Sequence, residues 1–229
     1  MFIDNNKLDE LIEEYKKENL LFNEIMIKYS KYIKGIDHIA FRSLSKDEIK
    51  FSSDIICQNE LFYFDNYNVE ATWYKTNHEC KRIFVSYYKG LETDKNFIEE
   101  TNKILNINFN NKLDLETYEY IKSKNQYLIW QITNKNKINH IALEVYDIKE
   151  FVELLKIDGY ELNIANNSYY NIGKNGKLIQ SSLLANKISF DFLEGENIIP
   201  GSFIEFAQRI DMIDGFDNSN ANNIVLSTK

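Results

Sequence analysis

Two short stretches, Ile36-Asp37-His38-Ile39-Ala40 and Ile138-Asn139-His140-Ile141-Ala142, decide how this chain reads. Each opens a run of period two, over residues 36–42 and 138–145, which marks a strand. His38, Ala40 and Arg42 share one face of the first strand. The chain contains three histidines, and the echo uses two of them at the same point of each run.

The echo gains its weight from the residues downstream of each stretch. After the first, Ser45 and Glu48 resemble a capping box opening a short helix to about residue 57. Aromatic and β-branched runs at 61–64, 70–75 and 82–88 then suit three strands. After the second, Asp147 can cap a helix carrying Ile148, Phe151, Val152, Leu154 and Leu155, with Gly159 closing it. Residues 177–184, 188–193 and 202–208 read as three more strands, Gly195 and Pro200 marking the turn between the last two. The order β-α-β-β-β occurs twice, and an internal duplication accounts for it.

Outside the two modules the pattern is helical. Leu8, Leu11, Ile12 and Tyr15 recur at helical spacing, and Leu21, Ile25, Met26 and Tyr29 continue the stripe until Gly35. Helical patterns at 96–105 and 113–121 link the modules. The expected organisation is one α+β domain: an N-terminal helical segment (1–34), a first βαβββ module (35–90), a mostly helical connector (91–136), and a second βαβββ module with a tail (137–229).

Composition excludes several classes. The 229 residues are 44% hydrophobic and 27% charged, enough for a buried core and unlike a disordered chain. With 35 acidic against 27 basic residues and a net charge of −8, a nucleic-acid groove is not expected. No apolar run approaches the roughly 20 residues that cross a bilayer. The acidic, helix-like N-terminus is unlike a secretory signal. Cys57 and Cys80 form neither a CxxC pair nor a disulfide framework, so two buried thiols in a cytoplasmic protein are expected. No GxGxxG, GxxxxGK[ST] or GxSxG occurs, which leaves nucleotide cradles and the hydrolase elbow without support.

The chemistry concentrates at four residues. Two histidines at equivalent points of duplicated strands meet if a pseudo-twofold axis pairs those strands. Glu205 lies mid-strand in Phe203-Ile204-Glu205-Phe206-Ala207. A carboxylate buried there costs several kcal/mol unless it finds a cation, a hydrogen-bond partner or a proton. A metal between His38, His140 and Glu205 satisfies it, and two imidazoles with one carboxylate leave positions open, as in non-haem Fe(II) oxygenases. A pair with Arg209, on the same strand face, satisfies Glu205 equally well. Arg42 can reach the same cavity and capture a substrate carboxylate, or can pair with Glu205 or Glu144. His78, in a loop, reads as a surface histidine.

At these residues the chain resembles the 2-oxoadipate dioxygenase/decarboxylase family, whose fold is similar to that of the vicinal oxygen chelate enzymes. The resemblance runs through Asp37-His38-Ile39-Ala40-Phe41-Arg42-Ser43, Ala71-Thr72-Trp73-Tyr74 and Arg82-Ile83-Phe84-Val85-Ser86. It continues through Ile138-Asn139-His140-Ile141, Ile204-Glu205-Phe206-Ala207-Gln208-Arg209 and Gly215-Phe216-Asp217. It implies a vicinal-oxygen-chelate-like half-barrel and a mononuclear Fe(II), or another divalent ion, held by His38, His140 and Glu205. It also implies that Arg42, the catalytic and substrate-binding residue, holds a substrate carboxylate. The implied reaction takes a 2-oxo dicarboxylate and O2 to a 2-hydroxy acid and CO2, with neither nucleic acid nor membrane as partner. A metal-dependent lyase or isomerase of the same superfamily, or a non-catalytic small-ligand-binding protein, are the alternatives.

Overall fold

In a computed structural model of the chain, the structure describes residues 1–43, 47–64, 69–88, 137–165, 167–184, 187–192, 195–200, 202–211, 213, 215 and 216. The helices expected at 96–105 and 113–121 lie outside the described residues.

The first strand of each repeat forms where expected, β2 over Ile33–Ser43 and β7 over Ile138–Val145. They pair antiparallel at the centre of one eight-stranded sheet. Beside β2 lie β6 (Arg82–Tyr88), β5 (Val69–Thr76) and β4 (Ile56–Phe64). Beside β7 lie β12 (Phe203–Arg209), β9 (Leu178–Ser182) and β8 (Asn171–Ile172). The order β4-β5-β6-β2-β7-β12-β9-β8 reads the same from either end under the duplication. Ile39 pairs with Ile141, and on either side of that pair His38 faces Ala142 while Ala40 faces His140. The local twofold therefore passes between the two isoleucines.

Alternation along these strands separates two functions. Ile39, Phe41, Ile83, Val85, Ile141, Leu143, Ile204 and Phe206 project into the hydrophobic core, shared with the helices. The alternate positions on β2 and β7 carry His38, Arg42 and His140. Helix α1 (Asn5–Glu18) is capped by Asp4, whose carboxylate accepts from the Lys7 N–H, and it buries Leu8, Leu11, Ile12 and Tyr15 as expected. The Tyr15 hydroxyl donates to the Phe203 carbonyl, fixing α1 to β12. Helix α3 (Ile148–Ile157), capped by Asp147 and ended by Gly159 at φ +82°, packs Phe151 against Phe206 and Tyr29.

Four local expectations are corrected. The N-terminal helix breaks at Asn19, whose amide turns to the Tyr15 carbonyl and the Ser202 hydroxyl; α2 (Leu20–Lys28) then buries Phe22 and Ile25 but leaves Leu21 exposed. Gly35 lies inside β2 at φ +143°, at a bulge opposite Glu144 and Val145, and so does not end a helix. No helix follows β2 among the described residues: the Glu48 carboxylate accepts from the Ser43 hydroxyl, and Lys50–Phe51 (β3) pair with Phe2–Ile3 (β1). In the second module, Gly195 and Pro200 bound a strand, β11 (Gly195–Pro200). Among the described residues it pairs with β10 (Lys187–Phe192) as a separate hairpin, so β9 takes the place beside β12 that the repeat order gives to residues 188–193, and β8 takes the edge beyond it. No described helix is long and apolar enough to cross a membrane.

Candidate metal centre

Two further bulges lie beside the twofold. Between Ile36 and His38 the register advances two residues on β2 against one on β7, and between Ile138 and His140 the converse holds. Asp37 and Asn139 are the extra residues. A bulge turns its residue toward the side of its neighbour instead of the opposite face. Each side chain thereby meets the ring that follows it: His38 Nδ1 lies 2.8 Å from Asp37 Oδ1, and His140 Nδ1 lies 2.8 Å from Asn139 Oδ1.

Those contacts fix the tautomers. A carboxylate and an amide oxygen only accept, so each Nδ1 carries the proton and each Nε2 presents a lone pair. The two Nε2 atoms are 3.3 Å apart, with no proton between them. Glu205 completes the group, Oε1 being 3.7 Å from His38 Nε2 and Oε2 3.5 Å from His140 Nε2. His38, His140 and Glu205 each offer a ligand atom within 4.8 Å of the others, and all three are buried. Three converging lone-pair donors repel one another, and a divalent cation relieves that repulsion. The donor set therefore fits a metal.

The electrostatics agree. Burial pushes the Glu205 carboxyl above its ordinary value, although His38 and the Gln180 amide, which donates to Oε1 at 2.6 Å, pull the other way. Burial above all, then the adjacent His38 ring and the Arg42 guanidinium, which disfavour a second proton there, hold His140 well below the usual histidine range, so its ring is neutral and available as a ligand. Burial pulls the Arg42 guanidinium down to about 9 against the Glu205 carboxylate. Arg42 Nη1 donates to Ser86 Oγ at 2.9 Å, the residue beside it across the parallel β2–β6 pair.

The alternative partners fall away. Arg209 turns from Glu205 to Asp37, with Nε 2.6 Å from Oδ2 and Nη2 2.9 Å from Oδ1. Burial would raise the Asp37 carboxyl, but Arg209 and the bond to His38 hold it far below its usual range. Glu144, the repeat counterpart of Arg42, pairs with Lys34 at 3.2 Å and Lys81 at 2.6 Å. His78 is tucked in, not free on the surface: Nε2 meets Asp9 at 3.0 Å, and Nδ1 accepts from the Cys80 N–H. Both cysteines are free thiols, Cys80 buried as expected and Cys57 exposed.

Sequence reasoning from spacing missed Asp37, Asn139 and Gln180, which touch the three converging side chains. It also missed Phe216, whose ring stands edge-on to His38 with centroids 4.9 Å apart. The register shows one more asymmetry. Glu205 lies beside Ala142 on β12, and the residue beside Ala40 on β6 is Phe84, so the duplicated position is apolar in the first module. Among the described residues three protein donors converge where a fully symmetric site has four.

A model of the 2-oxoadipate dioxygenase/decarboxylase family matches residues 88–217, more than half of the chain, including His140 and Glu205. The chloroplastic 2-oxoadipate dioxygenase/decarboxylase of Arabidopsis thaliana is 30% identical over 135 residues, which make up 48% of this chain and 36% of that relative. The chain thus matches about a third of the relative's length. The structure of a hydroxyglutarate synthase from Oryza sativa, solved in complex with 2-oxoadipate, superposes with a TM-score of 0.78 at 20% identity, covering 96% of this chain and 90% of the other. A glyoxalase superfamily protein from Ralstonia eutropha JMP134 gives a TM-score of 0.62 at 17% identity, covering 86% and 83%. At these identities the structural likeness is one of fold, and the fold is vicinal-oxygen-chelate-like.

Proposed function

We propose, since the chain belongs to the 2-oxoadipate dioxygenase/decarboxylase family, that it is an Fe(II)-dependent oxygenase acting on a 2-oxo dicarboxylate. The substrate is 2-oxoadipate or a close analogue, and the products are CO2 and a 2-hydroxy acid one carbon shorter. With 2-oxoadipate and O2 the atoms balance as 2-hydroxyglutarate plus CO2. The observation that carries the reading is the convergence of three buried lone-pair donors, His38 Nε2, His140 Nε2 and Glu205, on one point.

In this reading His38, His140 and Glu205 hold the metal. A bound Fe(II) supplies an anchor for the 2-oxo acid and the electrons that O2 reduction requires. The protein does the rest by position. Asp37 and Asn139 keep each imidazole in the tautomer that presents Nε2. Gln180 donates to Oε1 of Glu205 and orients the carboxylate. Arg42, braced by Ser86, binds a substrate carboxylate, and its buried guanidinium gains from that anion. Phe216 stands edge-on to His38 and to Trp73 and lies tilted against Phe84, so an apolar wall keeps water from that side of the ring. Apolar Phe84 at the duplicated ligand position favours this chemistry over a four-ligand lyase or isomerase. The free thiols Cys57 and Cys80 suit the cytoplasm.

The test is anaerobic metal analysis followed by O2 uptake. The purified protein should bind about one Fe(II) per chain and consume O2 with 2-oxo dicarboxylates, releasing CO2 in step. His140→Ala should abolish both. Full turnover with Zn2+ in place of iron, or normal turnover by His140→Ala, refutes the reading.

A further inference from the structure

Arg209 makes two sets of contacts that point in opposite directions. On one side Nε and Nη2 grip both oxygens of Asp37, at 2.6 and 2.9 Å, and Asp37 Oδ1 lies 2.8 Å from His38 Nδ1. On the other side Nη1 donates to two backbone carbonyls after β12, Ile213 at 3.0 Å and Gly215 at 2.8 Å. The next residue is Phe216. Its ring meets His38 at 4.9 Å, Trp73 at 4.6 Å and Phe84 at 5.1 Å between centroids, and the Arg209 guanidinium carbon lies 5.6 Å from its centre. One imidazole is therefore touched by two groups, an orienting carboxylate and an aromatic wall, and the same guanidinium holds both.

We propose that Arg209 is a positioning residue that couples His38 to Phe216, and that Phe216 is the wall of the metal pocket that sets which 2-oxo acids fit. The inference rests on the metal-centre reading. The guanidinium geometry is what makes the coupling specific. A planar fork reaches a carboxylate in two places and still has Nη1 free for two carbonyls, whereas an ammonium supplies charge without that fork. Loss of a group that orients a metal-bound histidine typically weakens metal binding by about 10- to 100-fold.

The experiment uses the whole 229-residue chain, metal-free, with Co(II) as a spectroscopic probe. Wild type, Arg209→Lys, Arg209→Ala, Asp37→Asn, the double variant Asp37→Asn/Arg209→Ala and Phe216→Leu are compared. Co(II) absorption, Co(II) affinity, and KM and kcat for 2-oxo acids of differing chain length are measured. Arg209→Ala should weaken Co(II) binding by about 10- to 100-fold, and ethylguanidinium in solution should restore part of the loss. The double variant should bind Co(II) no worse than the weaker single variant, since both substitutions break one linkage. Arg209→Lys, which keeps a cation beside Asp37, should hold Co(II) affinity within a few-fold while raising KM. Phe216→Leu should keep the affinity and shift the preferred chain length. Wild-type Co(II) affinity and spectrum in folded Arg209→Ala, fully additive losses in the double variant, or an unchanged chain-length preference in Phe216→Leu each overturn the coupling. If wild type itself binds no Co(II), the metal-centre reading fails and the coupling with it; if it binds and the variants match it, only the coupling fails.

Discussion

Asp37 and Asn139 occupy equivalent bulges of two paired strands, and each supports the Nδ1 of the histidine that follows, yet only Asp37 carries charge. The duplication has kept the geometry and divided the electrostatics. A carboxylate partner makes His38 the more electron-rich imidazole, whereas the amide of Asn139 orients His140 without adding charge.

That difference predicts unequal costs. Asp37→Asn leaves the Arg209 guanidinium buried without its counter-ion, so it should destabilise the fold by about 3–5 kcal/mol. Asn139→Ala removes one neutral hydrogen bond and should cost about 1 kcal/mol. Urea unfolding of the two metal-free variants checks the ranking. Equal losses refute a structural role for the Asp37–Arg209 pair.

Metal affinity should depend on pH through Glu205. Burial, the largest influence, lifts this carboxyl above its ordinary 4.5. The ligand is the ionised form, so at pH below the raised value the metal-free carboxyl holds a proton that the metal must expel. Affinity should be independent of Glu205 above the raised value and should fall as pH drops through it, by about tenfold per unit for one competing proton. His140, held well below 6.5 by burial and neighbouring charge, adds no such competition near neutrality. Calorimetry in buffers of different ionisation enthalpy should count one proton released per ion in that window and fewer above it. A proton count independent of pH contradicts this account.

The Glu144 carboxyl shifts the opposite way, and what acid removes there is stability, not metal affinity. Burial pushes its carboxyl up, but hydrogen bonds from Lys81 and Lys34 outweigh it and hold the value below 4.5. The folded chain thus binds this proton less readily than the unfolded chain. The stabilisation is complete above 4.5 and is lost as pH falls through the depressed value. Both lysines are partly exposed, so the contribution is about 1 kcal/mol or less. Glu144→Gln should lower the urea midpoint at pH 7, with the difference from wild type shrinking in acid. Metal affinity should stay unchanged, which separates Glu144 from its repeat counterpart Arg42.

What the sequence discloses about this site depends on which forces are local. The His38 and His140 pair is legible because a duplication repeats residue types, and Glu205 is legible because a carboxylate among Phe203, Ile204, Phe206 and Ala207 demands a partner. The bulges at Asp37 and Asn139 are not, because a bulge is a property of two strands in register. Nothing in Asp37-His38 announces that the two neighbouring side chains meet. Arg209 is on the expected face, yet spacing cannot choose between Glu205 four residues away and Asp37 in the other module. The Ser45–Glu48 signal misleads for a related reason: the tertiary pairing of Lys50–Phe51 with Phe2–Ile3 and the Ser43–Glu48 hydrogen bond outcompete a short helix.

The apolar side chain at the duplicated ligand position allows the open coordination to be tested by closing it. Phe84 stands to Ala40 as Glu205 stands to Ala142, and its ring packs 5.1 Å from Phe216 beside His38. Phe84→Glu places a fourth donor, a carboxylate, on the twofold counterpart of Glu205. Without metal, the new buried carboxylate should destabilise the fold by several kcal/mol. With metal, it should occupy a position that substrate or O2 otherwise takes. The expected result is tighter binding of Zn2+, a larger rise in melting temperature on adding that ion than wild type shows, and loss of O2 uptake with 2-oxo acids. If Phe84→Glu binds the ion no more tightly and still consumes O2 at the wild-type rate, position 84 does not face the metal and the three-donor account of the site is wrong.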